Sequence, residues 1–111
     1  MDNIKILQTL AILFTVQIVV WYQLNGQLVW TWFKDHPFLL SLLGVPISYL
    51  LILSTKIGYD AFGALWPIRL LGFSLGMLSF PILTWLMLGE GISLKTGVSM
   101  ILGAIIMLLQ L

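Results

Sequence analysis

Charged side chains divide the chain into four apolar stretches. No Asp, Glu, Lys or Arg occurs within residues 6–33, 37–55, 70–89 or 96–111. These stretches are continuous, without the alternation of polar and apolar positions that a membrane β-strand shows. A helix that crosses a bilayer needs about 20 mostly apolar residues. The pattern therefore predicts an all-α integral membrane protein with four spanning helices.

The polar breaks place these helices near 4–24, 37–55, 61–88 and 92–111. Because the breaks are short, each helix is expected to run antiparallel to the next one in the chain. The predicted fold is a four-helix bundle of up-down-up-down topology. The third helix is expected to be kinked or irregular, since it is too long for one straight span and contains Pro67 and Pro81.

Composition agrees with a lipid environment. Of the 111 residues, 60% are hydrophobic and only 8% are charged, and the mean hydropathy is +1.10. Water-soluble domains carry roughly a quarter charged residues. We therefore expect one transmembrane domain over residues 1–111, in an inner or plasma membrane. The net charge of +1 argues against a nucleic-acid partner.

The turn before the last predicted helix has the most specific sequence. Residues 88–96 read Leu-Gly-Glu-Gly-Ile-Ser-Leu-Lys-Thr, which is similar to the turn that leads into the last helix of drug/metabolite transporter superfamily members. With Trp66 early in the third helix and four helices in all, the chain resembles the small multidrug resistance family. The resemblance implies transport by a homodimer, with Trp66 in a substrate chamber and the last helix at the dimer interface.

The first helix departs from that family. Small multidrug exporters place a membrane-embedded Glu there, and the nearest position in this chain holds Gln17. An amide has no proton to exchange and no charge to hold a cation. Proton-coupled export of cations is therefore not expected, and the chain looks closer to the non-drug branches of the superfamily.

Arg69 is the strongest candidate for contact with a substrate, because an ionisable side chain within a span is costly and usually functional. Helical spacing places it beside Gly72 and Gly76, and within reach of Trp66 for a cation–π contact. A guanidinium next to small residues suits a phosphate or carboxylate headgroup. The alternative is that Arg69 lies at the edge of the span and extends to lipid phosphates as an anchor.

Polar residues of the first helix are also candidates for lining a chamber. Thr15 and Tyr22 share one stripe with Gln8, and Gln17 lies on the opposite side. The alternative is structural, since such side chains also hydrogen-bond neighbouring helices without a functional demand. The candidate substrate-binding residues are therefore Gln17, Thr15, Tyr22, Trp66 and Arg69.

Small residues of the last helix are candidates for an oligomer interface. Gly97, Gly103 and Ala104 would let two helix backbones approach closely. Packing within one chain is the alternative use of the same residues.

The sequence contains no motif of an enzyme. It has no nucleophile–base pair and no glycine-rich phosphate loop, and its single histidine makes no metal site. We expect no cofactor; the expected partners are membrane lipid, a second copy or a larger membrane complex, and a substrate with an anionic headgroup. Two functions stay open: a small transporter or flippase-like protein, and an accessory or structural subunit of a larger membrane complex.

Overall fold

The computed structural model describes residues 3–111, and this part of the chain is helical without strands. The helices are α1 (Asn3–Asn25), α2 (Thr31–Asp35), α3 (Pro37–Ser41), α4 (Gly44–Phe62), α5 (Trp66–Leu88) and α6 (Leu94–Gln110), with a 3-10 turn at Gly26–Leu28.

Three apolar segments are long enough to cross a membrane. They are Asn3–Leu28, Pro37–Phe62 and Trp66–Leu88. Helix α6 is also apolar but has only 17 residues. Many large hydrophobic side chains of these helices are exposed on the protein surface. Such a surface is expected where lipid takes the place of water.

The helices lie side by side in the order α4, α1, α5 and α6. Helix α1 packs against both α4 and α5, whereas α6 packs chiefly against α5, and α4 touches α5 only briefly. The backbone accordingly measures 45 × 35 × 18 Å, which is flat for a bundle of this length. The four long helices therefore form a thin layer that leaves two broad faces uncovered.

The second predicted helix differs most from the structure. We placed it near 37–55, whereas the chain turns at residues 42–43 and α4 continues to Phe62. The turn precedes Pro46, whose nitrogen has no proton for a helical bond and which is best tolerated in a first helical turn, where α4 has it. At the other end, α4 ends where Gly63 takes the left-handed conformation, with φ of 71°.

Charged residues that lie between the second and third predicted helices, 37–55 and 61–88, belong to the last turns of α4. Lys56 and Asp60 are exposed there, and the Asp60 carboxylate forms an ion pair with Lys5 of α1 at 3.8 Å. The connector is instead Gly63–Leu65, so the third predicted helix begins at Trp66 rather than near residue 61.

Helix α5 is continuous from Trp66 to Leu88 although it contains a proline. Pro67 stands in its first turn, where a missing N–H costs nothing. Pro81 lies inside the helix, where it cannot donate to the carbonyl of Met77 one turn earlier. This leaves one backbone carbonyl of α5 without its usual helical partner.

One stripe of α1 sets how it packs against α5. Leu13, Gln17 and Trp21 recur every four residues, and they meet Gly72, Gly76 and Thr84 in the same order along α5. A Cβ atom on Gly76 would lie 2.7 Å from the Gln17 Oε1 atom, so a side chain at this position would displace the Gln17 amide. The two helices therefore come close together where the candidate site lies.

The three most deeply buried hydroxyl groups are satisfied within their own helices. Thr9, Ser54 and Ser74 are all at most 1% exposed. Each donates to a backbone carbonyl three or four residues earlier, at 2.7–2.8 Å. An unpaired hydroxyl would cost several kilocalories per mole in hydrocarbon, so this arrangement suits helices without water around them.

Candidate functional site: a groove between α1 and α5

Two adjoining cavities form a groove along the contact of α1 with α5. Their volumes are about 600 Å³ and about 420 Å³. Both are lined by Gln17 and Val20 of α1 and by Gly72 and Phe73 of α5. These four residues form the waist of the groove, and the absent side chain at Gly72 provides the space there.

The smaller cavity, called here the Arg69 cavity, extends from the waist toward the start of α5. It is lined by Arg69 and by Thr55 of α4, together with mainly apolar side chains. The Arg69 guanidinium carbon lies 5.3 Å from the centre of the Phe73 ring, in a cation–π contact. Among residues 3–111 no carboxylate pairs with Arg69, so its positive charge is open to a ligand.

The larger cavity, called here the inner cavity, extends from the waist toward the middle of α5 and the side of α6. Its walls are mostly apolar and include Trp21, Phe80 and Pro81. The Trp21 side chain is 1% exposed, and its indole N–H donates to the Thr84 hydroxyl at 3.0 Å. That hydrogen bond fixes the ring that forms the cavity wall.

Polar groups in the inner cavity are few. Gln17, Ser79 and Ser99 line it, and the Ser99 hydroxyl donates to the carbonyl of Lys95 at 2.9 Å. The Gln17 amide forms no hydrogen bond with another residue of the 3–111 range, and it packs over Gly76. It is therefore an uncharged donor and acceptor available at the waist of the groove.

Two of the five predicted binding residues meet in this groove. Gln17 and Arg69 both line the Arg69 cavity. Trp66 is 75% exposed and lines neither cavity. Phe73, rather than Trp66, is the aromatic neighbour of the Arg69 guanidinium.

Thr15 and Tyr22 lie outside the groove. Thr15 is exposed and donates its hydroxyl to the carbonyl of Ala11 at 2.8 Å. Tyr22 contacts the rings of Trp21 and Trp30, and its hydroxyl lies 3.7 Å from the Met87 sulfur. Thr15 therefore forms a hydrogen bond within its own helix, and Tyr22 packs among aromatic side chains. Neither residue lines the groove.

Sequence reasoning missed Phe73, which stands four residues after Arg69 and so on the same side of α5. The four-residue spacing from Arg69 to Phe73 could have indicated this contact. Trp66, three residues before Arg69, satisfies the same helical rule and was chosen instead. Thr55 and Ser99 were missed as well, because no spacing within one helix indicates which residues of other helices face the groove.

The glycines of α6 separate into two groups. Gly103 is buried within the chain, where an added Cβ would lie 3.1 Å from the Met77 Cβ atom of α5. Gly97 has open space around it, and Ala104 is half-buried on the same side of the helix. The structure thus places Gly103 in the contact between α5 and α6, which is the alternative use of this residue.

No protein-family model, curated protein or solved structure matches the chain. The resemblance to the drug/metabolite transporter superfamily therefore rests on residues 88–96, Trp66 and the helix pattern. The class that the fold defines is an all-helical protein whose apolar helices suit a membrane.

Proposed function

We propose that the chain is an integral membrane protein in which four segments cross the bilayer, each antiparallel to the next. The short connector at residues 63–65 favours an antiparallel return of α5 along α4. The ion pair of Lys5 with Asp60 supports this arrangement, because it joins the first turns of α1 to the last turns of α4. An inner or plasma membrane is the proposed location, and both termini face the same side.

The proposed function is transport or flippase-like movement of an amphiphile that has an anionic headgroup. The single observation that carries this proposal is a mostly apolar groove with one open positive charge, Arg69, near its end. A guanidinium pairs with phosphate or carboxylate through two parallel hydrogen bonds. The apolar walls suit the rest of an amphiphile, and Gln17 provides a neutral contact between them.

The same groove argues against export of cations. No carboxylate of the described residues lines it, and its one charged side chain is a cation. A positively charged substrate would be repelled by Arg69 and would find only a neutral amide at Gln17.

Proteoliposomes that contain a fluorescent phosphatidic acid in both leaflets test this function. A membrane-impermeant quencher then reports how fast the lipid exchanges between leaflets. We expect Arg69→Gln to reduce exchange about tenfold or more, because a charge-assisted pair is lost. Arg69→Lys should recover part of the rate, since an ammonium keeps the charge but loses the planar fork.

Lys56→Gln is the matched control, because it removes one positive charge from the same end of the protein without touching the groove. Equal rates for the parent and for Arg69→Gln would mean that Arg69 only anchors the protein at the interface. The transport proposal would then be abandoned.

An accessory subunit of a larger membrane complex is the second candidate function. The observation that favours it is the outer face of α6, which is apolar and exposed. Its residues are Leu94, Val98, Ile101, Leu102, Ile105, Leu108 and Leu109. Purification from native membranes in mild detergent distinguishes the two: a homodimer supports the transporter, and stoichiometric foreign subunits support the accessory role.

A further inference from the structure

We propose that the groove holds a single phospholipid from one leaflet, with its phosphate on Arg69 and one acyl chain in the inner cavity. This inference rests on the proposed function, and it names the ligand class and the position of each part of the ligand.

The depth of the groove fits one leaflet. At 1.5 Å per residue, α5 rises about 16 Å between Arg69 and Phe80. The hydrocarbon core of a bilayer is about 30 Å thick, so one leaflet contributes about half of that. Arg69 stands in the first turn of α5, where a span would enter the headgroup region. A lipid bound there keeps its phosphate at its ordinary depth while its chain follows the groove inward.

The chemistry of the walls separates the two parts of such a ligand. Arg69 supplies charged donors at one end, beside the Thr55 hydroxyl, which donates to the Leu51 carbonyl at 2.9 Å and leaves its oxygen as an acceptor. Beyond the waist, the inner cavity is bounded by Trp21, Met77 and Phe80, which offer contact to an apolar chain and few hydrogen bonds. A free phosphate would leave this larger cavity unused, and a neutral chain would leave the Arg69 charge unpaired.

Phe73 stands where the two parts meet. Its ring lines both cavities and carries the Arg69 guanidinium at 5.3 Å. A chain that runs from the Arg69 cavity into the inner cavity therefore passes beside this ring. The ring also holds the guanidinium at the edge of the groove, where a phosphate can reach it.

Trp21 gives a direct readout of the inner cavity. It lines the cavity and is 1% exposed when the groove is empty, so it is the tryptophan most shielded from lipid outside the protein. The other four tryptophans are 42–75% exposed and can be replaced by Phe, leaving Trp21 as the one emitter. Bromine on the acyl chain of phosphatidic acid quenches tryptophan over a short distance without direct contact, so a chain seated against this wall quenches Trp21. The loss of that quenching when the cavity is filled measures occupancy by the chain.

The experiment compares two brominated lipids, phosphatidic acid and phosphatidylcholine, at equal mole fraction in nanodiscs of unlabelled phosphatidylcholine. We expect brominated phosphatidic acid to quench Trp21 several-fold more strongly. Ser99→Phe fills the inner cavity from α6 and should abolish quenching by either lipid. Val98→Phe adds the same bulk at a neighbouring position outside the groove and should change nothing.

The outcomes separate this inference from the proposed function. If Trp21 is not quenched by either lipid, the chain does not occupy the inner cavity and the inference is wrong, while the exchange assay on Arg69→Gln still tests transport. If both lipids quench equally, or if Arg69→Gln keeps the preference for phosphatidic acid, Arg69 does not select the headgroup. If inorganic phosphate at millimolar concentration removes the quenching, the groove binds a free anion and the lipid assignment fails.

Discussion

Replacing Gly103 with Leu should destabilise the contact between α5 and α6 within one chain. A Cβ atom at this position already lies 3.1 Å from the Met77 Cβ and 3.6 Å from the Ser74 carbonyl oxygen. The remaining carbons of a leucine find no space there, so α6 must move away from α5. Overpacking of this kind costs about 1–3 kcal/mol, or about five- to 150-fold in the unfolding equilibrium.

Reversible unfolding in mixed micelles, followed by circular dichroism or by steric trapping of two labels on α5 and α6, measures this loss. Gly97→Leu is the control, because an added side chain there enters open space. We expect Gly97→Leu to keep the parent's unfolding free energy. If Gly103→Leu is as stable as the parent but dimerises less, Gly103 faces a second copy and the packing of α6 described above is wrong.

Three further outcomes are expected. Accessibility mapping should place both termini and the connector Gly63–Leu65 on one side of the membrane; termini on opposite sides of one molecule would contradict the four-span arrangement. Thr84→Val should lower the unfolding free energy by about 1 kcal/mol, because the Trp21 N–H loses its acceptor. Thr84→Ser keeps the acceptor and should not lower it. Equal losses for the two variants would contradict a role for this hydrogen bond. Everted vesicles should show neither uptake of quaternary ammonium cations nor proton release on their addition, with Gln17→Glu as the comparison; cation-dependent proton release by the parent would overturn this reasoning.

The all-helical class was predictable because the distance between charged residues and the length of each apolar stretch can be read from the sequence alone. The limits of the second helix were not predictable in this way. Lys56 and Asp60 looked like a connector, yet a helix end that reaches the headgroup region can carry charges on its exposed side. The left-handed residue at Gly63 marked the true end, and nothing in the sequence distinguished it from Gly58, which is buried within α4.

Part of the candidate site was predictable as well. A charge near the end of an apolar stretch and an amide within one are unusual, and both Arg69 and Gln17 line the groove. Their neighbours on other helices, such as Thr55 and Ser99, depend on the order in which the helices lie side by side. Short connectors restrict that order but do not determine it, so the flat arrangement required the structure.

The length of α6 has a consequence for the surrounding bilayer. Its 17 residues rise about 26 Å, a few ångströms less than the hydrocarbon thickness of an average membrane. In the proposed arrangement with α6 as the fourth span, lipids along this flank would compress to meet the helix, at a fraction of a kilocalorie per mole for each ångström. Two copies that meet along α6 share one compressed ring of lipid instead of keeping two. The elastic cost of deforming the membrane therefore favours pairing at this flank and accumulation in thinner bilayers, without any specific contact between side chains.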